Sequence, residues 1–332
     1  MLNRKAFIVT AGALAGTPAI VRAQASKTIV GPPEMTHVKV GLAVQDVSYL
    51  NLYLAQSEGL WKKQGVDVEF VAFPGDAPVT QALVGGSVDL NIASMVGMLN
   101  LVAAGQAVKT VHCITNQAVF SFVGNAKVKS WNELKGGSFG VATYGSLTAA
   151  LATAALEAHG LTVNKDVQLV QTGGTPNAYA ALLSGQLSGS TVQLTYAIRA
   201  KNAGLNILGT QQQITGPVWP AEVVYAKDAF LKANPRTITA ILRGIADADN
   251  VILTQPDKAA KALVDNLKLE PEIAAAAYKV VRNTYEPRGQ FPRNMDPFWK
   301  VMAATKVVQG PLPPSQWYDP TWIDNYNAWK VH

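Results

Sequence analysis

Shifted by 99 positions, the sequence falls on itself: VEFVAFPGDAPVTQALVGGSVD (68–89) matches VQLVQTGGTPNAYAALLSGQLS (167–188) without a gap. The identities are few: Val68/Val167, Val71/Val170, Gly75/Gly174, Ala82/Ala181, Leu83/Leu182 and Gly86/Gly185. Gly41 and Ala43 fall on Gly140 and Ala142 under the same shift, and SEGL (57–60) meets AHGL (158–161) after a small slip. Shared strand–helix architecture alone produces some of these matches. What carries the argument is the common order of strand, turn and helix, which implies two similar α/β lobes.

Within the first copy, HVKVGLAV (37–44), VDVEFVAF (66–73) and SVDLNIAS (87–94) read as strands, with helical segments at 49–61 and 77–86 between them. This βαβαβ alternation predicts a parallel sheet with helices on its faces. The second lobe should start near 128–141, with its third strand near Gly189–Leu194 and a helix over 195–204. Strand and helix resume over 216–230, and 234–252 is strongly helical, with Asn234 suited to the N-cap and Pro235 to the first turn. The aromatic tail WYDPTWIDNYNAWK (317–330) is expected to pack back on the body.

Residues 1–25 stand apart. A basic start (Arg4, Lys5), a short apolar run interrupted by Pro18, and Ala23-Gln24-Ala25 read as an export signal with a cleavage site. RKAFI resembles a twin-arginine signal with Lys in one Arg position. Removing this leader lowers the formal charge from +6 to +3, and no Lys/Arg run is present, so nucleic acid is not an expected partner. Cys113 is the only cysteine and sits in VKTVHCITN, a buried-strand pattern, so it reads as core. His37, His112, His159 and His332 are spread without metal or triad spacing, and no phosphate-binding glycine loop follows a strand. Neither metal nor cofactor is expected.

Ligands of open parallel sheets bind beyond the C-terminal strand ends. Six loops lie there: VQDVS (44–48, with Gln45 and Asp46), FPGDA (73–77, with Gly75 and Asp76), ASMVG (93–97, with Ser94), TYGSL (143–147), TGGTPN (172–177, with Thr175) and VQLTY (192–196, with Gln193). They should face one another across a cleft. YGSLT is the most informative. Gly145 permits a tight turn, and Ser146 or Thr148 brings a hydroxyl to a helix start whose N–H groups lack intrahelical partners. Such a start takes an anion without Lys or Arg; alternatively, Ser146 caps its own helix. Tyr49, Tyr144, Tyr196 and Trp219 could stack on a planar ligand or pack in the core.

Several segments then carry a resemblance: LYLAQSEGLWKKQGVDVEFV (52–71), ALVGGSVDL (82–90), AAGQAVKTV (103–111), KSWNELKGGSFGVATYGS (129–146), ALLSGQL (181–187) and VVYAKDAFLKANPRTITAILRGI (223–245). In this order they resemble the solute-binding proteins of ABC importers in the nitrate/sulfonate/taurine group, which share a fold with thiamine-pyrimidine precursor binders. The resemblance implies a two-lobed periplasmic-binding-protein fold (type II) that closes on a small solute and delivers it to a membrane permease. It implies lobe 1 over 26–120 and 220–332 and lobe 2 over 121–219, with crossings near Gln117–Gly124 and Gly216–Pro220. By position, Tyr144, Gly145, Ser146 and Thr148 match the family's second-lobe ligand loop, Gly75 and Asp76 a first-lobe loop, and Ser94 the loop after the third strand.

Two departures stand out: Leu187-Ser188-Gly189 where relatives have Val-Asp-Ala, and Gln193-Leu194 where an acidic residue and a proline often follow. They imply a less acidic, more apolar pocket. The expected protein is a periplasmic monomer without enzymatic activity that binds an anion of the sulfonate or carboxylate type. The alternative ligand is a neutral heteroaromatic such as a pyrimidine, read by Gln45, Asn116 or Gln193. An enzyme on the same fold is the remaining class, but the cysteine-rich motif of thiamine-pyrimidine synthases is missing.

Overall fold

The two copies of the repeat become two five-stranded sheets. The computed structural model describes residues 29–330; the export-signal reading of 1–25 and His332 fall outside the described residues. The strands are β1 (His37–Leu42), β2 (Asp67–Ala72), β3 (Leu90–Ser94), β4 (Val108–Cys113), β5 (Phe120–Gly124), β6 (Ser138–Val141), β7 (Gln168–Gln171), β8 (Gly189–Gln193), β9 (Asn206–Thr210) and β10 (Glu222–Lys227). One sheet runs β2-β1-β3-β10-β4 and the other β7-β6-β8-β5-β9. These are equivalent orders, with β2 matching β7, β1 matching β6 and β3 matching β8.

The parallel pairing expected from the alternation holds within each βαβ unit: β1 runs beside β2 in register from His37/Asp67 to Leu42/Ala72, and β6 beside β7. Each sheet also takes one antiparallel strand, which the alternation did not predict. β10 lies between β3 and β4, and β5 between β8 and β9. Both strands sit next to a chain crossing between the sheets, so they enter their sheet from the far side and run against it. The architecture is α/β with two mixed sheets.

The helices of eight or more described residues are α1 (Leu50–Ser57), α2 (Asp76–Gly85), α3 (Met95–Ala103), α4 (Leu147–Ala158), α5 (Thr175–Leu183), α6 (Leu194–Asn202), α7 (Pro235–Thr254), α8 (Pro256–Leu267), α9 (Pro271–Val281) and α10 (Asp296–Ala304). The helix expected over 49–61 is broken after α1, where Gly59 takes φ +62° before a further turn at Leu60–Lys63.

One core lies between the first sheet and α1 and α7, joining Val38, Val40 and Leu42 to Leu50, Leu54, Ile241 and Ile245. A second runs through both sheets: Val79, Met98 and Leu99 meet Phe139 and Leu151, with Phe298 and Met302 of α10 added. Asn234 occupies the N-cap of α7 as expected, but its side chain turns back to the Phe230 carbonyl. Glu34 caps the helix instead, its carboxylate accepting from the N–H groups of Arg236 and Thr237. The aromatic tail packs on the body through buried Trp317, Trp322 and Trp329.

Candidate functional site

A cavity of about 600 Å³ opens between the C-terminal strand ends of the two sheets. Of the residues singled out in the sequence, Gln45, Asp46, Gly75, Asp76, Ser94, Ser146, Thr148, Thr175 and Gln193 line it. The repeat explains the convergence. A 99-residue shift carries Gly75 onto Gly174, Asp76 onto Thr175 and Ser94 onto Gln193, so each sheet presents the same loops to the cleft. Gly75 (φ +113°) and Gly174 (φ +146°) stand at N-caps in a conformation that a side chain would strain.

The helix start in YGSLT is mostly occupied, with partners for the N–H groups of Leu147, Ala149 and Ala150. Ser146 is the N-cap of α4 and its hydroxyl accepts from Ala149 N–H, while that hydroxyl donates to the Thr143 carbonyl at 2.6 Å. Thr148 Oγ1 accepts from Ala142 N–H at 2.9 Å. The Leu147 N–H points across the cleft and donates to Asp76 Oδ2 at 3.0 Å, and Ser94 Oγ donates to Asp76 Oδ1 at 2.7 Å. A carboxylate of the first sheet therefore sits on the helix terminus of the second. Nearby, Asn100 Nδ2 donates to the Gly145 carbonyl at 2.7 Å, a second bond between the halves.

Asp76 is not the only acid. Asp46 caps the short helical turn Val47–Tyr49, accepting from Ser48 N–H at 2.9 Å. Glu222, at the start of β10, takes a hydrogen bond from Tyr49 Oη at 2.8 Å. Burial pushes the carboxyls of Asp46 and Asp76 above the ordinary carboxylate range, opposed by the N–H groups that bond them. Burial, aided by the nearby charges of Asp76 and Asp46, pushes Glu222 up to about 8. Gln193 brings no charge to the wall, and the acids that line the cavity come from other loops and from β10. Two cations also line the cavity, and both are engaged. Arg199 pairs with Glu270 at 2.9 Å and lies over the Tyr196 ring, while Lys268 Nζ donates to the Asp265 carbonyl.

Tyr196 also lines the cavity, and five of the singled-out residues, fully buried Tyr49 among them, lie elsewhere. Trp219 is fully buried and packs edge-on against Phe298, because its apolar surface is worth more in the core than at a cleft wall. Tyr144 is 57% exposed and outside the cavity, its hydroxyl donating to the Leu169 carbonyl. Gly145 contributes its carbonyl to Asn100 and does not line the wall. Asn116 faces a separate cavity of about 480 Å³ beside Glu286. Sequence reasoning passed over Glu222, Arg199 and Lys268. For Glu222 a signal existed: a lone acid in WPAEVVYA, an otherwise apolar strand run, needs a reason to be buried.

Two mixed sheets facing each other across a cleft, with ligand loops at their C-terminal ends, define a protein of the periplasmic-binding-protein fold. The family model described as NMT1/THI5 like matches residues 47–259, and the chain belongs to that family. This agrees with the resemblance drawn from its segments. The protein YtlA of Bacillus subtilis (strain 168) is 25% identical over 295 residues, covering 84% of this chain and 85% of that one. The 4-amino-5-hydroxymethyl-2-methylpyrimidine phosphate synthase THI13 of Saccharomyces cerevisiae is 23% identical over 313 residues, covering 85% and 84%. Among solved structures, the alkanesulfonate-binding protein SsuA of Xanthomonas axonopodis pv. citri, bound to MOPS, superimposes with a TM-score of 0.70. It is 17% identical and the match covers 82% of this chain and 94% of that one, which shows a shared fold.

Proposed function

We propose that this chain is the extracytoplasmic solute-binding component of an ABC importer, capturing a small solute in the cleft between two hinged lobes. The lobes are the two sheets with their helices, and the hinge segments are the crossings between β4 and β5 and between β9 and β10. The cavity is of the size usual for small-molecule sites. No helix among the described residues is long and apolar enough to cross a membrane; a permease would supply the pore. The relatives named as synthases raise an enzymatic reading. Against it, Cys113 is buried and its thiol is pushed up by burial, away from nucleophilic character.

The solute that fits best presents hydrogen-bond donors or positive charge, as an amine or an amino-substituted heteroaromatic does. One observation carries this reading: Asp46, Asp76 and Glu222 converge on the cavity, while of its two cations Arg199 is paired with Glu270 and Lys268 is bonded to a backbone carbonyl. A donor-bearing solute supplies the positive partner that these acids lack. Gln45 and Gln193 on the wall can read both donors and acceptors. This favours the heteroaromatic alternative over the sulfonate or carboxylate first expected from YGSLT.

A thermal-shift screen tests it, with nitrate, methanesulfonate, aliphatic carboxylates, primary amines and aminopyrimidines at about 1 mM each. A solute at about 100 times its Kd adds about 2.7 kcal/mol of stability. Hits among amines or aminopyrimidines are expected, with affinity rising as pH climbs through about 8 and Glu222 ionises. Hits confined to anions would sink the reading.

A further inference from the structure

Loops 73–76 and 142–147 meet in the cleft more closely than a simple wall requires. A Cβ added at Gly75 would lie 3.3 Å from Thr143 Oγ1, and one added at Gly97 would lie 2.9 Å from Asp76 Oδ1. The Asp76 carboxylate is therefore held in a fitted seat. Gly97 gives it room, Ser94 Oγ fixes one oxygen, and the Leu147 N–H takes the other. Its position at the N-terminus of α4, a helix of 12 residues, is where the helix dipole favours negative charge.

We propose that Asp76 is a specificity-determining residue that bars anionic solutes from this cleft by serving as its resident anion. The proposal rests on the cavity being the solute site, and deepens that reading by saying what the site rejects. An anionic solute meets two obstacles. The Leu147 N–H at the helix terminus is already bonded to a carboxylate, and that carboxylate repels the anion, with Asp46 on the same wall. A solute with donors meets neither. The repeat sharpens the point: the equivalent position in the second half is Thr175, a neutral residue at the start of α5, so the charge is present on one side of the cleft only.

The test is calorimetric titration of methanesulfonate and sulfate into the wild type, Asp76→Ala and Asp76→Asn. Thermal unfolding verifies that each variant is folded. Asp76→Ala clears the seat and removes the charge, and should bind methanesulfonate at least tenfold more tightly than the wild type. Asp76→Asn keeps the side chain's size, so it safeguards the test should the alanine variant fail to fold; it should also gain affinity, by a smaller factor, because the repulsion is gone while the seat stays occupied. If neither the wild type nor the folded variants bind the anions, the role of Asp76 is overturned and the donor-solute reading stands. A wild type that itself binds methanesulfonate as tightly as Asp76→Ala does overturns both.

Discussion

Tyr49 and Glu222, 173 residues apart in sequence, meet at the floor of the cleft with 2.8 Å between the phenol oxygen and a carboxylate oxygen. The same hydroxyl also stands 3.0 Å from the Ile92 carbonyl. One phenolic hydrogen faces two acceptors, and its bond to Glu222 opposes the burial that raises the affinity of that carboxyl for its proton. Tyr49→Phe removes the link and leaves two buried groups unpartnered. A loss of about 1–3 kcal/mol of stability is expected in urea denaturation, with a midpoint shift and an unchanged slope.

The pH dependence of stability follows from the same group. Glu222 sits near pH 8 in the fold against an ordinary 4.5, and burial likewise pushes Asp249, bonded by Asn51, from 3.8 up to about 7. A carboxyl whose pKa is raised on folding binds more protons folded than unfolded, so stability falls as pH rises between the two values. The ligand-free protein should lose stability from about pH 4.5 to about pH 8, most steeply above about 6.5, because below that buried His112, lowered from 6.5 to about 3, acts in the opposite direction. Glu222→Gln, whose amide oxygen can accept from Tyr49 as the carboxyl oxygen does, should flatten the upper part of that slope. Melting temperatures across the range decide it; an equally steep fall in the variant would refute the assignment.

Ser146 is bonded as a helix cap. Ser146→Ala should therefore cost about 0.5–2 kcal/mol of folding stability through the lost bond to Ala149 N–H. Chemical denaturation reads this without any ligand. A variant as stable as the wild type would show that the cap is energetically idle.

Gly244 lies in the middle of α7, where a Cβ would come within 2.2 Å of Trp61 Cδ1. Trp61 cannot easily give way, since its indole N–H donates to the Ile241 carbonyl at 2.9 Å and its ring packs edge-on against Phe70. Alanine is the better helix former, by about 1 kcal/mol, yet here overpacking wins. Gly244→Ala should destabilise by about 1–3 kcal/mol, seen as a lower Tm.

The fold was legible because the repeat is written in spacing. The shift of 99 carries α2 at 76–85 onto α5 at 175–183, and α3 at 95–103 onto α6 at 194–202. The loops that line the cavity were legible for the same reason, since strand ends and helix starts repeat with them. Partnership was not. That Ser146 bonds its own helix and Leu147 bonds Asp76 depends on how the two halves face each other, and no local pattern encodes that. Glu222 was passed over because β10 joins its sheet from a distant stretch of chain, outside the βαβ repeat. Trp219 was misplaced because an aromatic beside a crossing looks alike in sequence whether it lines a cleft or fills a core.

The interleaved strand order also sets a schedule for assembly. Every strand of the second sheet lies between Phe120 and Thr210, so that sheet can pair as soon as its own stretch of chain is free. The first sheet cannot. β4 touches β3 only through β10, which arrives more than a hundred residues later, and α7, which covers this sheet's core, comes later still. A chain threaded from its N-terminus would thus hold its leading half incomplete until the trailing half had followed.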